Sequence, residues 1–303
     1  MLPDQSTRAV PEARPTNGDW TVKKILDWTT DHLDKHGSES ARLDAEILLA
    51  HARGCRRIEL YTRYAEVLTE SERATMRDLV RRRANAEPVA YLVGFKEFYG
   101  LPFKVTPAVL IPRPETEMLV LEAVEFAKER SGATLRLLDL CTGSGCIAVA
   151  AARNHSGLQV TATDVSSAAL AVATENAERN RVGERVTFLE GDLFAALPAG
   201  SQFDVIVSNP PYVTTGEMRT LAKDIRAHEP ALALEAGPHG LDCLRRIAEE
   251  ASGFLKPGGL LLVEMDPKQT SVFADWLRPR FAEVSVLKDL GGEARVVRGV
   301  LGS

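Results

Sequence analysis

The chain has 303 residues, of which 45% are apolar and 26% are charged, a composition typical of a globular protein that can bury a core. This length exceeds one average domain and fits two. The formal net charge of −5 argues against a protein that binds nucleic acid without sequence preference, because such proteins usually carry a basic face. We therefore expect no direct nucleic-acid binding.

The cysteines and the distribution of apolar residues bear on compartment. The four cysteines are Cys55, Cys141, Cys146 and Cys243, and none of them forms the C-x-x-C spacing of a zinc site. A disulfide framework is not expected in so long a chain. No apolar stretch reaches the roughly 18 residues that a membrane helix needs. We therefore expect reduced thiols, no metal, no membrane association and a cytoplasmic location. We also expect a monomer.

The N-terminal part predicts a polar lead-in and then helices. Residues 1–19 are rich in proline and polar residues, which is typical of a disordered segment. Residues 20–88 repeat apolar residues at helical spacing. The repeating positions are Val22, Ile25, Leu26 and Leu33 in one segment, and Leu43, Ile47, Leu48 and Ala50 in the next. Residues 20–88 are therefore predicted to form a helical bundle, which we expect to bind a partner.

Helix-boundary signals agree with this prediction. Gly54 follows the second segment, where a left-handed residue ends a helix well. Thr69 and Glu72 have the spacing of a capping box, and Pro88 closes the last segment. The Arg81–Arg83 run is predicted to be a solvated helix face, with contact to an acidic partner as the alternative.

Residues 89–111 change in character. Aromatic and β-branched residues mix with glycine and proline in "VAYLVGFKEFYGLPFKVTPAVLI", a pattern typical of a β-hairpin. We predict that this hairpin links the helical bundle to the rest of the chain.

From residue 112 to 303, strand-like and helix-like segments alternate. The strand-like segments are "LRLLDL", "QVTATD", "RVTFLE", "FDVIVSN" and "LLLVEM", and the helical ones are "CIAVAAARN", "SAALAVATENAERN" and "GLDCLRRIAEEASGFL", the last of these stopped by Pro257-Gly258-Gly259. Such alternation predicts an α/β fold with a parallel, doubly wound sheet.

A glycine turn follows the first strand of this region. Gly143 and Gly145 let the backbone turn tightly and approach a ligand, and the next helix offers free N–H groups at its start. Asp164 ends the next strand, where a carboxylate can accept both hydroxyls of a ribose. Together these features indicate an adenosine-type cofactor, which leaves NAD and S-adenosylmethionine open, since Gly143-x-Gly145-x-x-Ala148 also satisfies the loose dinucleotide fingerprint.

Two further acids refine this cofactor prediction. Asp192 or Leu193, in "EGDLF" after the third strand, could flank an adenine ring, although Asp192 could equally be a turn residue. Asp139 lies just ahead of the glycines, where it would repel a diphosphate but tolerate the amino group of a methionine moiety. The sequence therefore favours S-adenosylmethionine.

Asn209-Pro210-Pro211-Tyr212 ends an apolar strand abruptly, because neither proline can donate a ladder hydrogen bond. In an open parallel sheet this motif should lie beside the Gly143 loop. The Asn209 side-chain oxygen and the Pro210 carbonyl can each accept one hydrogen of a planar amino group, and Tyr212 can pack on its flat face. Two such acceptors would orient a poor nitrogen nucleophile and stabilise the positive charge that grows on it.

These motifs carry a resemblance to a known family. Asn-Pro-Pro-Tyr with "DLCTGSG" resembles the class I S-adenosylmethionine-dependent methyltransferases that act on planar amino groups. "IPRPETE", "FDVIVSNPPYV", "ARLDAEILLAH" and "EPALALEAGPHGLDCLRRI" together look like the PrmC/HemK family of release factor glutamine methyltransferases. The resemblance covers the chain from about residue 20. It implies a five-helix N-terminal domain, a hairpin linker and a Rossmann-like, seven-stranded methyltransferase domain.

The resemblance also implies a substrate and residue roles. The substrate would be the glutamine of the Gly-Gly-Gln motif in class 1 peptide-chain release factors, methylated at N5. Catalysis and substrate binding would use Asn209, Pro210, Pro211 and Tyr212, and the pocket wall would use Phe98 with the Arg113–Glu117 loop. Asp164 would bind the ribose and Leu193 would lie by the adenine. The remaining cofactor contacts would come from Asn209 and from the loop Cys141, Thr142, Gly143, Ser144 and Gly145. Cys141 departs from the glycine that is usual in the family, which predicts a stiffer loop.

Other readings remain open at this point. The same fold could act on a glutamine of a ribosomal protein. A nucleic-acid adenine-N6 methyltransferase would need a basic cleft and a surface that grips the strand, and neither is visible in the sequence. A binding module without catalytic activity would more naturally show a broken Asn-Pro-Pro-Tyr or glycine loop, and both are intact.

Overall fold

The structure is a computed structural model that describes residues 20–130, 132 and 134–302. The predicted lead-in, residues 1–19, lies outside the described residues. The chain divides into two compact units, Met1–Asn85 and Ala86–Ser303. None of the described helices has the length and apolar character needed to cross a membrane.

The first unit is helical over its described residues. Its helices are α1 (Val22–Lys35), α2 (Ala41–Arg53), α3 (Arg57–Thr62) and α4 (Glu70–Ala84). The capping box is confirmed, since the Thr69 hydroxyl accepts from the N–H of Glu72 while the Glu72 carboxylate accepts from the N–H of Thr69. Gly54 ends α2 in the left-handed conformation, as its position predicted.

Two sequence predictions in this unit are wrong. Leu43 is 41% exposed, because it lies off the buried face of α2, to which Leu48 and Leu49 belong. The Arg81–Arg83 run is not uniformly solvated, because the Arg83 guanidinium donates to the buried Asp44 carboxylate at 2.8 Å. The pair joins α4 to α2, and a one-dimensional pattern of charges does not reveal such a partner.

The second unit contains the sheet. Its elements are α5 (Val89–Val93), β1 (Phe95–Phe98), β2 (Leu101–Lys104), α6 (Glu117–Glu129), β3 (Leu135–Leu140), α7 (Cys146–Asn154), β4 (Leu158–Asp164), α8 (Ser167–Arg179), β5 (Val186–Glu190), β6 (Phe203–Ser208), α9 (Lys223–His228), α10 (Asp242–Phe254), β7 (Leu255–Glu264), α11 (Thr270–Leu277), β8 (Phe281–Lys288) and β9 (Ala294–Leu301). Strands β1 and β2 form the predicted hairpin, and a short helix, α5, precedes them.

The main sheet has seven strands in the order β5-β4-β3-β6-β7-β9-β8. The five strands from β3 to β7 are mutually parallel, and β9 runs antiparallel to both of its neighbours. The chain extends from β3 toward β5 on one side and then restarts with β6 on the other side. The switch between β3 and β6 opens a crevice at their carboxyl ends, where ligands bind in sheets of this kind.

Helices cover both faces of this sheet. Leu137 of β3 packs in one cluster with α6 and α7, whereas the adjacent Leu138 packs in a second cluster with α10 and α11. Successive strand residues point to opposite faces, so a continuous apolar run such as β3 indicates a strand buried on both sides. The predicted α/β fold class is thereby confirmed.

One predicted boundary is wrong. Helix α10 ends at Phe254, ahead of the Pro-Gly-Gly sequence that we expected to stop it, and β7 begins at Leu255. Leu255 pairs with Phe203, and the register then shifts so that Leu260 pairs with Val205. The intervening residues therefore form an irregularity inside the strand rather than a separate loop.

Candidate functional site

The glycine loop connects β3 to α7. The N–H of Thr142 donates to the carbonyl of Thr163 at 3.0 Å, and the N–H of Gly145 donates to the carbonyl of Thr142 at 2.8 Å. Gly145 has φ +77°, and a Cβ there would lie 3.0 Å from the Cβ of Ala173. The close approach of α7 to α8 therefore requires glycine at this position.

Cys141 begins this loop in a left-handed conformation with φ +59°. A side chain is disfavoured in this region, which explains why glycine would suit the position better. Burial raises the pKa of the Cys141 thiol well above its ordinary value, so the side chain acts as a neutral, apolar part of the wall.

Asp164 ends β4 beside this loop. One carboxylate oxygen accepts from the N–H of Gly143 and the other from the N–H of Ser166, both at 2.9 Å. Burial raises the pKa of the carboxyl, and the backbone N–H groups oppose that increase. Each carboxylate oxygen has a second lone pair, so Asp164 can accept further hydrogen bonds from a ligand in the cavity.

Asp139 is placed differently from our expectation. It is fully buried beneath the loop, where one oxygen accepts from the Thr142 hydroxyl at 2.6 Å and from the N–H of Ala148 at 3.2 Å. It is not among the cavity-lining residues. Burial raises the pKa of its carboxyl to about 7. Asp139 therefore supports the loop from below, and the argument that it faces a methionine amino group does not hold.

The predicted adenine end lies after β5. Leu193 lines the cavity in a left-handed conformation with φ +50°, and its carbonyl accepts from the Thr163 hydroxyl at 3.2 Å. Asp192 lines the cavity too and forms an ion pair with Arg246 at 2.8 Å. A strained backbone at a cavity wall is typical of positions that shape a ligand site.

Asn209 directly follows β6 and faces the same cavity. Its Nδ2 donates to the hydroxyl of Thr116 at 3.0 Å. Because Nδ2 is engaged in this way, Oδ1 is the atom that the amide presents for other contacts. This orientation is the one that an acceptor for a substrate amino group requires.

The rest of the Asn-Pro-Pro-Tyr motif divides into wall and support. Pro211 lines the cavity, whereas Pro210 is buried. Tyr212 packs against the hydrophobic cluster of α10 and α11, and burial raises the pKa of its phenol to about 12. The Tyr212 carbonyl accepts from Nε2 of Gln269 at 3.0 Å. Gln269 thus holds the end of the motif, a role that the sequence did not suggest.

The cavity has a volume of about 330 Å³ and gathers most of the predicted residues. The loop residues Cys141 to Ser144, together with Asp164, Leu193, Asn209 and Pro211, line it. Sequence reasoning missed the walls formed by Ala108–Leu110, Pro230, Leu232, Ala233, Glu235 and Cys243. Most of these residues are apolar, and they lie in loops, in a short 3-10 helix (Ala231–Ala233) and at the start of α10, so no local pattern identifies them as a ligand wall.

The pocket-wall predictions had mixed outcomes. Arg113 and Thr116 line the cavity, and Arg113 donates to the buried Glu229 carboxylate at 2.5 Å. Phe98 does not line it, because its ring is 1% exposed and packs edge-on against Phe103 in the core. We therefore correct the expectation for Phe98 and assign it to core packing.

The residues that line the cavity fit an adenosine-containing cofactor with a cationic centre. Asp164, Asp192, Glu235, a glycine loop and apolar residues line one cavity, and among the described residues Arg113 is the only lysine or arginine that lines it. A dinucleotide diphosphate would need more positive charge or a loop that presents N–H groups to it, and the N–H of Gly143 already donates to Asp164. Within the described residues, no cluster of three His, Cys, Asp or Glu side chains could hold a metal.

Comparison with known proteins agrees with this geometry. Residues 24–94 match the family model of the PrmC N-terminal domain, and residues 117–237 match that of the methyltransferase small domain. The chain is similar to the release factor glutamine methyltransferase of Rhodopirellula baltica, with 46% identity over 92% of this chain and 95% of the relative. It is also similar to that of Geobacter sulfurreducens, with 44% identity over 93% of this chain and 98% of the relative.

A solved structure supports the fold independently. The catalytic domain of hMettl16 matches with a TM-score of 0.55 and 17% identity, over 72% of this chain and 83% of that one. At this identity the match bears on the fold alone. The long, closely similar relatives decide the family, and the chain belongs to the release factor glutamine methyltransferases.

Proposed function

We propose that the protein transfers a methyl group from S-adenosylmethionine to the side-chain amide nitrogen, N5, of the glutamine in the Gly-Gly-Gln motif of class 1 release factors. The observation that carries this proposal is the orientation of the Asn209 amide. Its nitrogen is engaged by Thr116, so its oxygen can accept a hydrogen from a planar amino group. Relatives that are named for this activity support the choice of substrate.

The proposed chemistry relies on orientation. The Asn209 oxygen and the Pro210 carbonyl would each accept one hydrogen of the glutamine –NH2 group, and proline fixes φ and so limits movement of that carbonyl. When bound, S-adenosylmethionine supplies an electrophilic methyl group on a sulfonium. The two acceptors stabilise the positive charge that grows on the amide nitrogen. The methylated nitrogen must lose one proton, and because an N-protonated amide is strongly acidic this proton can pass to water without a strong base. Pro211 and Tyr212 would confine the glutamine side chain.

The proposed cofactor contacts follow the cavity wall. Asp164 would accept the ribose hydroxyls, Leu193 would pack by the adenine, and the Cys141–Gly145 loop would hold the methionine part. The apolar wall and the carboxylate support this arrangement. Thr142, Ser144 and Asn209 line the same cavity, and in this proposal Asn209 would lie on the substrate side.

The proposed partner is the release factor itself, contacted in part by the helical residues 20–88. We propose that the enzyme acts as a cytoplasmic monomer and does not bind nucleic acid directly, which the net charge of −5 supports. The alternatives are a glutamine of a ribosomal protein and, with less support from the charge, an adenine-N6 position in nucleic acid.

Methyl transfer from radiolabelled S-adenosylmethionine tests this proposal. The acceptors are a purified release factor, the same factor with the Gly-Gly-Gln glutamine replaced by alanine, bulk ribosomal protein and duplex DNA. We expect label on the intact factor alone. Label on ribosomal protein or DNA would overturn the partner while keeping the chemistry. No label on any acceptor, despite measurable cofactor binding, would contradict the proposed activity.

A further inference from the structure

Asn176 is a fully buried polar side chain in α8. It shares one face of this helix with Ala169, which lines the cavity, and with Ala173, which lies against Gly145 of the glycine loop. Positions three or four residues apart follow one another along a single helix face. A buried amide is unfavourable unless its donors and its acceptor are paired, so the partners of Asn176 indicate its role.

The first partner is the backbone of Lys104, at the end of β2. Asn176 Oδ1 accepts from the N–H of Lys104 at 2.7 Å, and Nδ2 donates to the carbonyl of the same residue at 3.0 Å. The side-chain amide thus pairs with Lys104 as a residue of a neighbouring strand would. Beyond Lys104 the chain continues to Ala108–Leu110, which form one wall of the cavity. Asn176 therefore fixes the start of the segment that carries this wall.

The second partner is the glycine loop. Asn176 Nδ2 also donates to the carbonyl of Ser144 at 2.9 Å, and Ser144 lines the cavity. The N–H of Gly145, at the other end of the same peptide group, donates to the carbonyl of Thr142 at 2.8 Å. Because both polar ends of this peptide group are paired, its plane is fixed. Nδ2 has two hydrogens, and it uses one for Ser144 and the other for Lys104.

We propose that Asn176 is a positioning residue that sets the distance between the glycine loop and the Ala108–Leu110 wall, and so holds the cavity in the shape that binds S-adenosylmethionine. One amide group joins the two walls, so neither wall can shift without breaking a buried hydrogen bond. The inference rests on the cofactor of the proposed function, and it is independent of which molecule accepts the methyl group. A cavity that has the binding shape only part of the time binds its ligand more weakly by that fraction.

Titration calorimetry with S-adenosylmethionine tests this inference. Asn176→Ala removes all three hydrogen bonds, and we expect it to weaken cofactor binding by about 10-fold or more, the result if the cavity keeps its binding shape about one tenth of the time. Asn176→Asp preserves the shape of the side chain and the acceptor for the N–H of Lys104. In either protonation state it can donate to at most one carbonyl. It should therefore weaken binding as well, and it carries the test if the alanine variant fails to fold.

The matched control is Asn180→Ala, one turn further along the chain at the C-terminal end of α8. Asn180 Nδ2 donates to the carbonyl of Pro102 in β2 at 3.2 Å and to the backbone carbonyl of Asn176 at 2.9 Å. These bonds tie the same hairpin to the same helix, and neither of them reaches the glycine loop. We expect Asn180→Ala to lower the free energy of unfolding in urea, as Asn176→Ala does, while cofactor affinity changes by less than about threefold.

Two calorimetric results would contradict the inference. Wild-type affinity in Asn176→Ala would show that the cavity keeps its shape without these bonds. An equal loss of affinity in Asn176→Ala and Asn180→Ala would show that docking of the hairpin controls binding, rather than the bond to Ser144.

Hydrogen–deuterium exchange without cofactor provides a second readout. The N–H groups of Thr142 and Gly145 are hydrogen-bonded in the wild type, so their exchange reports local opening of the glycine loop. We expect Asn176→Ala to accelerate exchange in the loop and in β2, and Asn180→Ala to accelerate it in β2 alone. Wild-type exchange of the loop in Asn176→Ala would overturn the inference. A wild-type enzyme that binds S-adenosylmethionine but labels no acceptor would contradict the proposed function, while affinity and exchange would still decide the role of Asn176.

Discussion

The Asp164 carboxylate accepts a hydrogen bond from the backbone N–H of Gly143 at 2.9 Å, and this contact ties the end of β4 to the glycine loop after β3. Its other oxygen accepts from the N–H of Ser166 at the start of α8. A single side chain therefore sets the loop geometry and presents negative charge to the cavity. Both contributions should appear in cofactor binding.

We expect Asp164→Ala to weaken S-adenosylmethionine binding by roughly 10- to 100-fold, since a hydrogen bond to a charged group contributes about 1.5–3 kcal/mol. Asp164→Asn keeps one acceptor oxygen and should fall between the alanine variant and the wild type. Titration calorimetry measures both affinities. Equal affinity in Asp164→Ala and the wild type would refute the ribose role.

Replacing Asn209 should affect methyl transfer much more than cofactor binding, in contrast to replacing Asp164. We expect Asn209→Ala to lower methyl transfer by about 10²-fold or more, the scale of losing an oriented polar contact in the transition state. Cofactor affinity should change only a few-fold, because Asp164 and the loop remain intact. Rates at saturating cofactor, measured beside calorimetric affinities, give the comparison. An unchanged turnover would remove Asn209 from the mechanism.

Gly240 supports the Asn-Pro-Pro-Tyr motif through backbone contact. It has φ +67°, and a Cβ there would lie 2.4 Å from the Tyr212 carbonyl oxygen and 2.8 Å from Nε2 of Gln269. We expect Gly240→Ala to lower the free energy of unfolding by more than the roughly 1–2 kcal/mol of a left-handed alanine. Transfer should fall as well, because Tyr212 and the motif must move.

The matched control for Gly240→Ala is Gly258→Ala. Gly258 has φ +72°, and a Cβ there would have no atom of the described residues within 4 Å. It therefore carries the conformational cost alone. Urea unfolding of both variants isolates the effect of the close contact with Tyr212. An equal decrease in the free energy of unfolding of the two variants would show that this contact does not destabilise Gly240→Ala.

Asp139 should make stability depend on pH. Its folded-state pKa is about 7, against 3.8 for the free side chain, so the folded state binds this proton more tightly. The resulting stabilisation is complete below about pH 3.8 and is lost as pH rises to about 7. Asp139→Asn removes the titration, and we expect the change in unfolding free energy between about pH 5 and pH 8 to become smaller. Urea unfolding at both pH values measures this difference. An equal difference in Asp139→Asn and in the wild type would show that Asp139 does not titrate in this range.

Local patterns predicted most elements of the sheet unit. The strand β3 and the helix α8 follow from an apolar run and from helical spacing, and the capping box at Thr69 follows from two residues three positions apart. The prediction for Leu43 was wrong because the buried face of α2 runs through Ala45, Leu48 and Leu49, and what packs against a helix decides which of its faces is buried. The prediction of a solvated Arg81–Arg83 face was wrong for Arg83, because its partner, Asp44, is 39 residues away in the sequence.

Local sequence motifs account for the chemistry that the site offers. Asn209, Pro210 and the glycine loop are local motifs, and strand–helix alternation brings strand ends to one edge of a parallel sheet. How these groups are held follows from the packing of the folded chain. It buried Phe98 in the core and Asp139 beneath the loop, and it brought Thr116 to Asn209 across 93 positions of sequence. Such contacts join groups that are distant in the chain, and only the packing of the elements determines them.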